Sequence, residues 1–525
     1  MNSINKIIIP LLLLVAIAGC KDSFLDRPSE SQISSNNFYQ TTSDLRLATA
    51  NLYGGAAWWN WQGQTDPWLE LGDVLSGNGF VGYYDQSGDL YAHSISAQNS
   101  ILSTGWAGLY NVIAQCNSTI TGINQYTASS ISTTDKNAAI AEAKFVRGVA
   151  YYYLAIYWGA VPIIEDNSTL IQNPLLKRNI VTDVYKFITN DLTYAAQNLP
   201  TTDVAGRVTT WSAQGMLGKV YLTMAGLEQK GGTRNQAYLD SAKLYAGNVC
   251  KNSGIELYHS YSDLFKAQFN DVPEDLFALQ WAPGTGWGKG NALQTLAPNL
   301  GDIQGWSSMN PSYDLYQLYT SKDTVRRKAT FMLKGDYYPE LNAAAGGYTA
   351  GGQTLKKHII GNAKDNNSPT MDIWSSIEHT ALLRLADVYL IYAEAILGNN
   401  ATTANADALL YFNKVRTRAG VDPDNIINID SIYKERRIEL AFEGQLWPDL
   451  VRLFYYNPDK ALNFVNSQQS VTFSYSKGVA TPGNGTTGAP ANVVPATISS
   501  FTLQIPASEL STDPKLADPA VPYYK

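Results

Sequence analysis

Metal-binding and nucleophilic groups are scarce in this chain. Of its 525 residues three are cysteine (Cys20, Cys116, Cys250) and four are histidine (His93, His259, His358, His379). No Cys-x-x-Cys pair occurs and no two histidines lie four apart, so neither set has the spacing of a zinc site. A Gly-x-Ser-x-Gly elbow, a His-Glu-x-x-His helix and a P-loop are all missing, which removes the usual sequence signatures of several hydrolases and phosphoryl-transfer enzymes. Charge is thin as well, at 16% of residues, with 38 Lys and Arg against 45 Asp and Glu and a net charge of −7. Without an extended basic run, the chain has no electrostatic footprint for nucleic acid. Long apolar runs are also lacking. The candidate from Ile7 to Ile17 spans eleven residues, short of the roughly 20 that a membrane-spanning helix needs.

That short run has another meaning. It follows Lys6, contains Pro10, and leads to Ile17-Ala18-Gly19-Cys20, after which the sequence turns polar at Lys21-Asp22-Ser23. Small residues before a cysteine mark a cleavage site, and the whole reads as a bacterial lipoprotein precursor in which residues 1–19 are a signal peptide and Cys20 is acylated. Each buried acyl CH₂ contributes about 0.8 kcal/mol, so several chains hold a protein on a membrane where one does so only marginally. Cys116 and Cys250 fall in helix-like sequence and read as two buried thiols rather than a disulfide.

Aromatic residues are abundant, with 33 Tyr and 12 Trp. Apolar positions recur at three to five residues from Ala138 to Trp158, closing at Gly159, and the same logic gives helices at Val181–Asn198, Trp211–Ala225 and Gln236–Lys251. Further helices are expected over Thr380–Leu397, Ala404–Arg418 and, as one amphipathic stretch, Ile432–Tyr456, stopped by Asn457-Pro458. Between them lie long stretches rich in Gly, Asn, Asp, Trp and Tyr: Gly54–Gly105, Phe269–Met309 and Gly335–Ser376. Loops of such length in a compact chain are usually functional. Gln468–Ser500 reads as a flexible surface loop, Phe501–Ile505 as a short docking strand, and Asn310-Pro311 as a helix start.

Five phrases resemble one family, in its order along the chain. They are Glu142-Ala-Lys-Phe-Val-Arg-Gly-Val-Ala-Tyr-Tyr-Tyr153 with Gly159-Ala-Val-Pro162; Leu383-Arg-Leu-Ala-Asp-Val-Tyr-Leu-Ile-Tyr-Ala-Glu-Ala395; Asn413-Lys-Val-Arg-Thr-Arg-Ala-Gly420; Glu435-Arg-Arg-Ile-Glu-Leu-Ala-Phe-Glu-Gly444 with Trp447-Pro-Asp-Leu-Val-Arg452; and Ile505-Pro-Ala-Ser-Glu-Leu510. Together they resemble the SusD/RagB family. The resemblance implies a mostly α fold, a tetratricopeptide-like scaffold of helix pairs carrying a less regular, loop-rich ligand-binding subdomain. Divided accordingly, 20–260 is an N-terminal helical part with a Trp-rich loop, 261–380 a loop-rich ligand-binding insertion, and 381–525 a C-terminal helical part with a terminal docking segment. It also implies a lipoprotein on the outer membrane of Bacteroidota, facing the exterior, which binds oligo- or polysaccharide without cutting it. Such a protein delivers its cargo to a SusC-like TonB-dependent transporter. Alternatives are a RagB-like peptide-binding lid of that transporter and, less favoured, a surface glycosidase.

A sugar ring offers an apolar C–H face that stacks on an aromatic ring and a rim of hydroxyls that need in-plane polar partners. The candidate ligand contacts are therefore Trp59, Trp61 and Trp68 in the first long loop with Tyr83 beyond them, and Trp287 and Trp306 in the second, with Asp73, Asn78 and Asn291 as polar partners. Asp and Asn there serve equally well as turn formers. The cluster around Glu435 and Glu439 reads as structural, because neighbouring arginines keep carboxylates ionised rather than poised as acids. Arg384 and Glu394 are expected in buried ion pairs between helices. No cofactor is expected; the loop aspartates leave room for structural calcium, but no EF-hand spacing supports it.

Overall fold

The helices form a ladder whose consecutive members pack side by side. In the computed structural model, residues 38–63, 67–81, 85–284, 288, 290–296, 298, 305–306, 309–483 and 494–525 are described. After α1 (Thr42–Ala50), the ladder runs through α2 (Ser100–Tyr126), α3 (Thr133–Trp158), α4 (Val181–Asn198), α5 (Thr210–Met224) and α6 (Gln236–Asn252). It resumes with α7 (Leu385–Leu397) and α8 (Ala406–Arg418), followed by α9 (Ile429–Glu439) and α10 (Leu446–Tyr456). From α2 to α8 each helix packs on the next, α6 on α7 included, so the chain leaves the ladder after Asn252 and re-enters it at Leu385.

Local chemistry sets the ends. The Ser132 hydroxyl accepts the N–H of Asp135 at the start of α3, and Gly159 closes the helix with φ 70°. Such N-caps stabilise a helix by roughly 1 kcal/mol. Small residues bring the helices close: a Cβ on Gly247 would stand 2.6 Å from the Tyr392 ring, so α6 and α7 can approach only because Gly247 has none. Cys116 is buried and Cys250 half-buried, both as free thiols.

Several boundaries differ from the sequence reading. Thr380–Arg384 is a strand, antiparallel to Asp275–Leu279, and the helix begins only at Leu385. The stretch Ile432–Tyr456 is two helices, not one. It breaks at Phe442 and Gly444, both with positive φ (59° and 69°). Asn310 lies in the strand Met309–Pro311, which pairs with Gly79–Val81, and Ser312 is the N-cap of the helix that follows. Gln468–Ser500 contains a hairpin, Phe473–Ser476 with Val479–Pro482. Phe501 ends a 3₁₀ turn rather than starting a strand, and the tail docks instead through the Leu503 N–H to the Tyr157 carbonyl, 2.8 Å. The described part of Gly54–Gly105 is not irregular: it holds short helices and two π-helical turns, Trp59–Gly63 and Glu70–Val74.

One principal core takes side chains from each of the stretches 20–260, 261–380 and 381–525, while a smaller cluster around Met332, Tyr338, Leu341 and Ile359 belongs to the insertion alone. Buried charge ties the insertion to the ladder. Arg384 reaches Glu274 (2.8 Å), Glu439 (3.2 Å) and Glu443 (2.7 Å), and Lys357 meets Glu443 at 2.8 Å. Arg326 spans Asp323, Glu435 and Glu439, and Glu394 is held by Arg234 and Arg452. Arg384 and Glu394 are thus in buried ion pairs as expected, although Arg384 reaches its partners from a strand rather than a helix. Burial alone would push the Glu439 carboxyl up, but Arg418, Arg384 and Arg326 outweigh it and hold the group below its ordinary value. Such a carboxylate is a poor proton donor.

Candidate ligand-binding surface

Four segments from three distant parts of the chain meet through backbone hydrogen bonds. The Ala292 N–H donates to the Gly63 carbonyl (2.8 Å), Asn291 and Ser376 exchange both of their backbone bonds (3.0 and 2.8 Å), and the Trp306 N–H donates to Thr295 (2.9 Å). The π-helical turn Trp59–Gly63, the 3₁₀ turn Leu293–Leu296, Gly305-Trp306 and Asp372–Ser376 are thereby joined. π-Helical turns recur at functional sites because the extra residue shifts the side chains that follow to a new direction.

Tryptophan rings cluster on these segments. Trp306 is 44% exposed, the only exposed tryptophan among the described residues, and Trp59 and Trp374 are half-buried. The Trp306 and Trp374 rings lie 5.0 Å apart with planes at 64°. Trp59 rests edge-on against buried Trp281 at 6.4 Å. Beside these rings Gly63 is obligatory, since a Cβ there would come within 2.4 Å of Trp59 and 2.7 Å of Trp281.

Trp374 is fixed by its turn. Its N–H donates to the Asp372 carboxylate (2.8 Å), and the Ser375 hydroxyl accepts the Gly290 N–H (2.9 Å). Beneath, Asn291 Nδ2 donates to the Glu378 carbonyl (2.7 Å). His358 then bridges the Glu378 carboxylate (Nδ1, 3.2 Å) and the Phe442 carbonyl (Nε2, 2.8 Å). Burial would lower the pKa of this imidazole, but the Glu378 carboxylate, aided by the Phe442 carbonyl, raises it above the ordinary histidine value. Because a carbonyl oxygen can only accept, Nε2 donates to Phe442.

The remaining candidates have different positions. Trp61 and Trp68 are at most 1% exposed. Trp61 packs between Tyr153 (5.1 Å) and Tyr157 (5.7 Å) of α3, and Trp68 stands edge-on to His358 (5.8 Å), so both rings are core and offer no face to a ligand. Asp73 is also buried: its carboxylate accepts the N–H groups of Phe442 and Gly444 and the Asn78 amide, each at 2.8 Å. Burial pushes this carboxyl up to about 6, against those hydrogen bonds. The Asn78 oxygen accepts Arg437 Nε at 2.8 Å, and Asn291 spends its amide on backbone. These three are corrected from ligand partners to supports of the turn and of the Trp374 segment. Tyr83, Trp287 and Cys20 lie outside the described residues.

Trp374 was missed. The signal available was Asp372-Ile-Trp-Ser-Ser376, a turn-forming aspartate placed to present the aromatic two residues on. Among the described residues no group of three or more His, Cys, Asp or Glu is placed to hold a metal ion, and no helix is long and apolar enough to cross a membrane.

The same architecture occurs in known proteins. A SusD family model matches residues 326–524, and one described as starch-binding associating with outer membrane matches 23–222. A SusD-like protein of Bacteroides ovatus is 40% identical over 479 residues, 88% of this chain and 85% of that one. A crystal structure with xylogluco-oligosaccharide superposes with a TM-score of 0.85 at 37% identity, covering 92% of this chain and 99% of that one. A laminarin-binding SusD-like protein shares the fold, with a TM-score of 0.68 at 21% identity over 93% of this chain and 100% of that one. The chain belongs to the SusD family.

Proposed function

We propose that this protein binds a neutral oligosaccharide of the decorated β-glucan class at the Trp306 surface, without cleaving it. The observation that carries the reading is the placement of Trp306, the one exposed tryptophan among those described, against the half-buried Trp374 on segments joined by backbone hydrogen bonds. The similar structure with xylogluco-oligosaccharide supports the ligand class. Acylation at Cys20 would tether the protein to the outer membrane, and a SusC-like transporter would receive the glycan. Asp73, a carboxyl that burial raises to about 6, is sealed behind three hydrogen bonds and has no face toward a substrate.

The test is native electrophoresis of residues 21–525 through gels containing xyloglucan, with an assay for released sugar on the same samples. Retardation that disappears in Trp306→Ala, with no sugar released, is the expected result. Retardation unchanged in Trp306→Ala would remove this surface from the reading, and released sugar would establish a glycosidase. Mobility unaltered by every glycan but slowed by peptides would favour peptide cargo.

A further inference from the structure

The two tryptophans of the surface stand at an angle that a single flat ligand face cannot satisfy. Their planes meet at 64° with centroids 5.0 Å apart. A β-1,4-glucan backbone is a flat ribbon whose sugar faces point up and down and whose C6 groups project from its edges. Two rings can share one face of that ribbon only when nearly coplanar. With Trp306 the more exposed of the pair, its ring serves as the floor under the ribbon. A ribbon stacked on that ring would have the Trp374 ring at its edge, beside what projects from it.

Trp374 is built to keep that position. The Asp372 carboxylate holds its N–H at 2.8 Å, the Ser375 hydroxyl holds the Gly290 N–H at 2.9 Å, and Ser376 pairs with Asn291 in both directions. The segment is anchored in turn by Asn291 on the Glu378 carbonyl and by His358 on the Glu378 carboxylate. These bonds fix the backbone that carries Trp374, and its ring packs on Trp306 at 5.0 Å, so little ordering of the segment is left for a ligand to impose.

We propose that Trp374 is a specificity-determining residue that reads the side branch of the glycan, packing its ring against the C–H face of a pentosyl group carried on C6 of the backbone. This rests on the glycan reading above and adds to it a division of labour: Trp306 recognises the backbone and Trp374 the decoration.

The experiment is isothermal titration of residues 21–525 with two probes: cellotetraose, which is linear, and the heptasaccharide that carries three α-1,6-xylosyl branches on the same backbone. Trp374→Ala should weaken the branched probe on the order of tenfold, about 1.4 kcal/mol, and leave the linear one within twofold. Trp306→Ala should weaken both. Trp374→Phe, which keeps a smaller flat ring and guards against a folding defect, should recover part of the preference, and thermal melts of all variants should coincide. An equal loss for both probes in Trp374→Ala would show that the ring merely supports Trp306 and would overturn the proposal, as would no change for either. Failure of the unaltered chain to bind either probe would overturn the glycan reading and this proposal together, whereas normal binding with an unchanged ratio sinks this proposal alone.

Discussion

Replacing Glu443 by Gln tests whether buried charge holds the loop-rich insertion to the helical ladder. Glu443 accepts Arg384 on both oxygens (2.7 and 2.8 Å) and Lys357 at 2.8 Å. Burial alone would raise its carboxyl, yet these two cations hold it down to about 2 against an ordinary 4.5. One pH unit of such difference corresponds to 1.36 kcal/mol, so the ionised group contributes about 3 kcal/mol near neutrality. The sign follows from the depressed value: the contribution is fully present above about pH 5 and is lost as pH falls toward 2. Urea denaturation of Glu443→Gln should therefore show a loss of about 3 kcal/mol at pH 7, shrinking to roughly 1 kcal/mol at pH 3, where the native carboxylate retains only part of its advantage. A loss below 1 kcal/mol at pH 7, or one of equal size at both pH values, would refute the reasoning. The first result would mean that Glu274 and Glu439, already paired with Arg384, suffice for it, and the second that the loss does not arise from the ionised carboxylate.

Other outcomes follow from single contacts. Asp73→Asn puts an amide where two backbone N–H groups need acceptors and should cost about 1–3 kcal/mol in urea titrations while glycan affinity stays constant. The raised carboxyl of Asp73 also makes its own contribution most favourable below about pH 4 and lost as pH rises through about 6, a dependence that the variant should abolish. Gly444→Ala places a Cβ 2.6 Å from Trp68 at φ 69° and should lower the melting temperature through a left-handed penalty of about 1–2 kcal/mol plus the clash. Cys20→Ser should move the protein from the membrane fraction to the soluble fraction of expressing cells, and persistence at the membrane would rule out the acyl anchor.

The helices from α3 to α8 were legible because their signals are local, whereas α1 and the long α2 (Ser100–Tyr126) were missed. In α4 the observed ends, Val181–Asn198, coincide with those read from spacing alone. That Arg384 and Glu394 would each enter buried ion pairs was also legible, although the partners Glu274 and Arg234 were not. The long helix expected from Ile432 failed although Gly444 and Pro448 were local break signals, and a distant residue fixes the turn between its two halves. Asp73, from the other half of the chain, accepts the N–H groups of Phe442 and Gly444, which stabilises a left-handed turn within the amphipathic stretch.

The binding surface shows the same division. Composition and loop placement pointed to the tryptophan-rich segments as candidates. Which rings stay outside depends on burial against elements remote in sequence: Tyr153 and Tyr157 enclose Trp61, and His358 lies against Trp68. Backbone bonds from Asn291 to Ser376 bring Trp374 to the surface of Trp306. Periodicity reports which faces of a segment are apolar, because side-chain direction repeats along its own backbone. It carries no information about which distant segment will cover a face, and so the sequence determined the scaffold and its family while tertiary packing decided which aromatic residues remain available to a ligand.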